Sequence, residues 1–149
     1  MLSQRVIPAL LVRDGGLYKG VQFKSHRYVG DPLVALKIFN EKEVDEICVL
    51  DITATAKGAG PDFELIEDLA SQCFMPLAYG GGVYSVEQMS KLYYLGVEKV
   101  VLGSSVHDTP DLVDKAAKRF GSQSVVAVLE VGKSILGSKT VFTRSGRKN

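Results

Sequence analysis

Met75-Pro76-Leu77-Ala78-Tyr79-Gly80-Gly81-Gly82-Val83 is a short apolar run that ends in three consecutive glycines, and a polar segment opening with Ser85 and Glu87 follows it. The order reads as strand, glycine turn, helix. Glycine has no Cβ, so such a turn can take positive φ and present bare N–H groups. The dipole of the helix that follows adds to them, and together they favour an anion. The same stretch also reads as a tight strand-to-helix turn without a ligand, because it lacks the spacing of a P-loop. A second turn shifts the balance. Val100-Val101-Leu102-Gly103-Ser104-Ser105 again ends an apolar strand in glycine and small hydroxyls. Two such turns in neighbouring βα units point to one phosphate gripped from two sides.

Outward from these turns, strands and helices alternate. Residues 4–12 form a near-continuous apolar run, the signature of a strand buried on both faces, although Pro8 within it is tolerable only near an edge or bulge. A long polar loop carrying Lys19, Lys24 and Arg27 is expected up to Gly30; loops of that length are often functional lids. Asp31-Pro32 is a helix start, with Asp as cap and Pro in the first turn, and the helix is expected to reach about Lys42. Residues 46–51 read as a strand ending in an acid, residues 52–60 as loop, and Pro61-Asp62 opens the next helix. Ser85 caps a third helix, with Val86, Met89, Leu92 and Tyr93 at helical spacing and Gly96 at its end. Residues 99–102 form a strand, Thr109-Pro110 starts a helix ending near Gly121, and residues 125–129 form a fifth strand closed by Glu130. Residues 131–142 read as a loop or a small hairpin around Gly137, and 144–149 as a frayed basic tail.

The order βαβαβαβαβ makes residues 1–149 a single α/β domain. Residues 44–51 weakly resemble residues 97–104, two βα units later. Repeating βα pairs suit a barrel better than an open sheet, although a flavodoxin-like open sheet has the same element order.

Composition narrows the function classes. The 149 residues are 46% hydrophobic and 23% charged with net charge +1, so no strong field favours nucleic acid or a membrane surface. No apolar run approaches the ~18 residues of a membrane span, and residues 1–13 lack the design of a signal peptide. Cys48 and Cys73 lie far apart in apolar surroundings, as in a reduced cytoplasmic protein. His26 and His107 are too few to make a metal site with them, and nothing calls for a cofactor.

Ligands of α/β folds bind at the carboxyl ends of the strands. Those ends bring together Leu11, Asp51, Gly80 to Gly82, Gly103-Ser104 and Glu130, with the Lys19 loop nearby. Two carboxylates beside a phosphate cradle make an acid/base site. Each has a plainer reading: Asp51 as a cap on its loop, Glu130 as a solvated strand end, Lys19 as a solvated lysine.

The residues also carry a resemblance. Lys19-Gly20 with Phe23, Gly30-Asp31-Pro32, Leu50-Asp51-Ile52-Thr53-Ala54, Gly80-Gly81-Gly82, Phe120-Gly121-Ser122-Gln123 and Val141-Phe142-Thr143-Arg144-Ser145-Gly146-Arg147-Lys148-Asn149 resemble the cyclase subunit of imidazole glycerol phosphate synthase, a (β/α)8 barrel of histidine biosynthesis. The resemblance implies a lyase of the amidotransferase type. Ammonia from a glutaminase partner crosses the barrel and reacts with a phosphoribosyl-linked aminoimidazole carboxamide nucleotide. Imidazole glycerol phosphate and the carboxamide ribotide are released. It implies that Gly81, Gly82, Gly103 and Ser104 hold one substrate phosphate, that Lys19 belongs to a mobile lid with Asp51 as site support, and that Arg5, Glu46 and Lys99 ring the ammonia entrance. The plainer reading of that ring is a salt-bridge cluster closing the barrel floor.

Two departures follow. The family uses an aspartate pair at the ends of the first and fifth strands, where this chain has Leu11 and Glu130. Leucine carries no proton, and glutamate reaches about one methylene further, where geometry must hold within roughly 0.5 Å. Altered acids of this kind resemble the barrels of surface-polysaccharide clusters, which imply a non-catalytic ammonia conduit and scaffold for a sugar amidotransferase. Second, the family's (β/α)8 TIM barrel takes about 250 residues, so the resemblance implies a half-barrel plus a fifth strand here, with the second phosphate site expected to be absent. An inactive half-barrel fragment, or half-barrels that self-associate, are the remaining expectations.

Overall fold

The computed structural model describes residues 4–21, 24–133 and 139–142. Strand β1 (Ala9–Arg13) pairs in parallel with β4 (Ile47–Asp51), β4 with β5 (Leu77–Gly80), β5 with β6 (Lys99–Leu102) and β6 with β7 (Val125–Ala127). Every crossover therefore steps one strand in the same direction. Such crossovers are right-handed, so an order that never reverses puts all the helices on one face. A flavodoxin-like sheet reverses after its first strand; this one does not, and the half-barrel holds.

Packing follows from the register. Leu10, Val49, Tyr79, Val100 and Val125 stand opposite one another across the five strands. This row meets Leu36 of α1 (Pro32–Glu41), Ile66 and Leu69 of α3 (Phe63–Gln72), Met89 and Leu92 of α4 (Val86–Tyr94), and Leu112 and Ala116 of α6 (Asp111–Phe120) in one core. The alternate row, Leu11, Leu50, Gly80, Val101 and Val126, lies on the face turned away from those helices. It is unevenly covered: Ala78 and Val101 are buried, whereas Leu11, Cys48, Leu50 and Val126 keep partial exposure.

The helix starts are chemically specified. Asp31 accepts from the amides of Leu33 at 2.7 Å and Val34 at 3.4 Å, with Pro32 supplying the first helical residue. Asp62 accepts from Leu65 N at 3.1 Å. Ser85 and Gln88 form a reciprocal capping box, each side chain accepting from the other's amide at 3.2 Å. Gly96 takes φ +104 just past α4, as a terminating glycine does.

Three expectations are corrected. The lid loop is a hairpin: β2 (Gly16–Val21) and β3 (Lys24–Gly30) extend the sheet beyond β1 in antiparallel pairing. Its polar residues masked the alternation, but Leu17 packs on the core and the Tyr18 and Tyr28 rings meet edge to face at 5.7 Å. The first strand starts only at Ala9; Pro8 has no amide to donate, though its carbonyl still accepts from Cys48 N at 2.9 Å. The fifth strand stops at Ala127, and Glu130 instead opens β8 (Glu130–Lys133), which pairs with β9 (Lys139–Phe142), so of loop and hairpin the second reading applies. Gly137, Phe23 and the 144–149 tail lie outside the described residues. Short helices α2 (Ala54–Lys57) and α5 (Ser105–Asp108) fill two loops.

Opposite the glycine turns, the amino ends of the strands are closed by an ion pair. Lys99 opens β6 and stands beside Ala78, which stands beside Cys48; Glu46 precedes Cys48 by two residues. The small Ala78 leaves Lys99 Nζ free to cross β5 to Glu46 Oε2 at 2.5 Å. Glu46 is 4% exposed. Removing one partner of a buried pair strands the other charge and costs about 3–5 kcal/mol, whereas an apolar replacement of both is often neutral. Lys99→Met should therefore lower unfolding free energy by about 3 kcal/mol in guanidinium titrations, and Glu46→Leu added to it should restore most of the loss; additive losses would contradict this account of the pair.

Candidate functional site

Gly80 stands opposite Val101, so the residues after each strand, Gly81-Gly82 and Gly103-Ser104, emerge side by side at the carboxyl end of the sheet. The two turns differ in what demands glycine. Gly81 takes φ +133, and a Cβ there would come within 2.7 Å of Asp51 Cβ and Asp51 O. Gly82 takes φ +66, and its Cβ would lie 2.4 Å from Ala59 O. Both positions are fixed by strain and by close packing against the loop after β4. Gly103 has no such demand: a Cβ added there meets nothing within 4 Å. Space without a packing requirement is left at the second turn. Ser104 precedes α5, makes no side-chain cap bond, and is half-buried. First-turn amides of a helix lack intrahelical acceptors.

Asp51 serves the loop. Its Oδ1 accepts from Thr53 N at 2.8 Å, Thr53 Oγ1 at 3.0 Å and Ala54 N at 2.9 Å. It thereby caps α2 and holds the loop against which Gly81 and Gly82 pack. Tyr79 braces the same turn from the core side, its hydroxyl donating to Gly81 O at 3.2 Å. Burial pushes the Tyr79 phenol well up, and the nearby Asp51 carboxylate adds to the shift, so Tyr79 acts as a neutral donor.

The other expected residues are spread out. Leu11 faces away from the helices, between Leu50 and Tyr18. Lys19 is exposed on β2, one residue past the Leu11–Tyr18 pair toward the amino end of β1. Glu130 is half-buried at the start of β8, paired with Phe142. Arg5 is exposed ahead of β1, next to Val6, whose amide donates to Asp45 Oδ2 at 2.7 Å; this puts Arg5 at the same end of the sheet as Glu46 and Lys99. The glycine turns and Asp51 are thus brought together, Arg5, Glu46 and Lys99 share the opposite end, and Lys19 stands apart from both.

A cavity of 190 Å3 opens beside the carboxyl ends of β1 and β4, lined by Val12, Asp14, Asp51, Thr53, Lys57 and Asp62 among others. Lys57 Nζ pairs with Asp14 across its rim, and this pair holds the Asp14 carboxyl below the usual carboxylate range. Asp14 and Lys57 escaped the sequence reading because only the turn at Asp14, with φ +48, aims one at the other. Gln88 was legible in principle, from its three-residue spacing to Ser85. Among the described residues, no group of three His, Cys, Asp or Glu could hold a metal ion, and no helix is long and apolar enough to cross a membrane.

Comparison with known proteins adds identity to this geometry. The family described as "Histidine biosynthesis protein" matches residues 5–149. The chain is 53% identical over 149 residues to the "Putative imidazole glycerol phosphate synthase subunit hisF3" of Vibrio vulnificus, covering 99% of this chain and 57% of that one. It is 47% identical over 149 residues to a "Putative imidazole glycerol phosphate synthase subunit HisF" of Leptospira interrogans, covering 99% of this chain and 59% of that one. It is 41% identical over 145 residues to the "Imidazole glycerol phosphate synthase subunit HisF" of Campylobacter concisus, covering 97% of this chain and 57% of that one. The chain thus spans less than two thirds of the length of these curated relatives. Because the match runs almost end to end through the sequential strands and both glycine turns, this chain belongs to the histidine biosynthesis protein family.

Proposed function

We propose that this chain is the five-strand portion of a cyclase-type subunit of imidazole glycerol phosphate synthase, which binds a phosphorylated substrate at its glycine turns and receives ammonia from a glutaminase partner. One observation carries the reading: the Gly80–Val101 register sets two anion-type turns side by side at the carboxyl end of the sheet. A phosphate there would accept from the amides after Gly81, Gly82 and Gly103 and from the Ser104 hydroxyl. The open space over Gly103 supports this. Arg5, Glu46 and Lys99 then border the ammonia entrance at the other end, and Lys19 belongs to the hairpin that serves as lid.

Between the two ends, the face turned from the helices presents Cys48, Ala78, Leu50, Leu11 and Val101. An apolar wall passes neutral ammonia and disfavours ammonium, because an unpaired charge is costly to bury. Burial pushes the Cys48 thiol up to about 11, so it adds no charge to this wall.

Leu11 favours a second reading for the chemistry. An acid at that position would sit in an apolar row with Leu50; leucine instead leaves Glu130 as the single proton carrier of the expected pair. On this reading the chain conducts ammonia and acts as a scaffold for a sugar amidotransferase of surface-polysaccharide synthesis, with little turnover of the histidine-pathway nucleotide.

Two experiments test these readings. Calorimetry with glycerol phosphate should show binding that Gly103→Asp abolishes, since the aspartate places negative charge in the cradle, while Gly103→Ala leaves thermal stability unchanged. Equal affinity of the Gly103→Asp protein would remove the phosphate site. Gly82→Ala is the poorer probe, because it should lower Tm through packing alone. For turnover, a chimera completing the barrel with the remaining segment of the Vibrio vulnificus relative, and keeping Leu11, should run about 10²–10⁴-fold below a typical enzyme for want of one positioned acid. Leu11→Asp should recover part of that. Turnover near one per second, an ordinary enzyme rate, with Leu11 in place would overturn the loss of cyclase chemistry.

A further inference from the structure

Gly81 and Gly82 flank one peptide unit, and neither carries a Cβ. A peptide between two glycines meets little steric resistance to turning over, because each residue accepts either sign of φ. Its two orientations are opposite in polarity. In a trans peptide the C=O and the following N–H point in opposite directions, and no cis bond occurs among the described residues. One orientation presents the Gly82 N–H to the carboxyl end of the sheet. The other presents the Gly81 carbonyl, whose lone pairs repel an anion.

Tyr79 settles the choice. It is 2% exposed and stands two residues before Gly81, in the row of the sheet that meets the helices. Its hydroxyl donates to Gly81 O at 3.2 Å. Among the described residues no other donor reaches that carbonyl. The ring fills the core as a phenylalanine ring would, so the oxygen is the part that serves the turn; a buried hydroxyl is costly unless it finds a partner. With Gly81 O held against the core, the Gly82 N–H is turned out of it. Gly82 is itself buried, and its amide has no acceptor among the described residues. Buried backbone N–H groups are rarely left so. The second turn, Gly103-Ser104, stands beside it through the Gly80–Val101 register.

We infer that Tyr79 is a positioning residue for anion binding: its hydroxyl fixes the Gly81–Gly82 peptide so that the Gly82 N–H faces the phosphate of the ligand. The inference rests on the phosphate reading above and adds to it the residue that sets the polarity of the first turn. Tyr79 touches no ligand and acts through Gly81. Residues two apart in a strand share a face, which puts the hydroxyl within reach of the carbonyl two residues on. Burial and the nearby Asp51 carboxylate keep the phenol protonated, so the donor is always present.

Calorimetry with glycerol phosphate on the full chain tests this by comparing Tyr79→Phe with Tyr93→Phe. Tyr93 is a matched control: its hydroxyl donates to Ser124 O at 2.7 Å, just ahead of β7 and so at the opposite end of the sheet. Each variant loses one hydroxyl-to-carbonyl bond, and each should lower Tm. Tyr79→Phe should also weaken binding about tenfold, the scale of one hydrogen bond to a charged acceptor, whereas Tyr93→Phe should leave Kd unchanged. In the isotope-labelled native protein the Gly82 amide proton should move downfield as glycerol phosphate is added. Native affinity in the Tyr79→Phe protein, with binding still abolished by Gly103→Asp, overturns the positioning role and leaves the phosphate site standing. Equal weakening in both tyrosine variants overturns it as well, since lost stability would then explain the effect. Should Tyr79→Phe fail to fold, the labelled native protein decides: a Gly82 amide that stays in place while the Ser104 amide shifts overturns the inference. Absence of binding by the native chain removes the phosphate reading and this inference with it.

Discussion

The structure depends on one constraint: each parallel strand is laid down on the same side of the one before it. Right-handed crossovers then place α1, α3, α4 and α6 against one row of side chains, Leu10, Val49, Tyr79, Val100 and Val125. The opposite row receives no helix from the crossovers. That asymmetry makes a barrel a natural completion of the sheet, because further strands, curling round, cover the second face. It also explains why the carboxyl ends of neighbouring strands lie side by side, so that two glycine turns far apart in sequence form one place.

The chain builds its two glycine turns differently. Gly81 and Gly82 are held by the packing of the β4 loop, which Asp51 organises through three hydrogen bonds. The cap that Asp51 places on its own loop is therefore also what holds the first glycine turn. Gly103 stands in open space.

Strands 47–51 and 99–102 were legible almost to the residue, because continuous apolar runs bounded by charged and glycine positions have one reading in a parallel sheet. Helix starts at Asp31, Asp62 and Ser85 were legible from cap chemistry. The β2–β3 hairpin was not. It carries Lys19, His26 and Arg27 among its apolar residues, and Tyr18 meets Tyr28, a contact between residues ten apart that no local period reveals. The early end of the fifth strand was hidden for a related reason: Val128 and Leu129 continue the apolar run although Val128 N turns to Leu102 O at 2.8 Å and the chain then departs into β8. Of the site, the glycine turns could be read from composition, whereas the placing of Lys19 depends on which edge the hairpin adopts, a tertiary choice.

The strand order carries the whole account, and amide-to-amide nuclear Overhauser effects across the sheet measure it directly. The expected contacts link β1 to β4 near Leu11 and Leu50, β4 to β5 near Leu50 and Gly80, and β5 to β6 near Gly80 and Val101. Contacts between β1 and β5, with none between β4 and β5, would mean that the sheet reverses after its first strand, and would contradict the half-barrel and the adjacency of the site built on it.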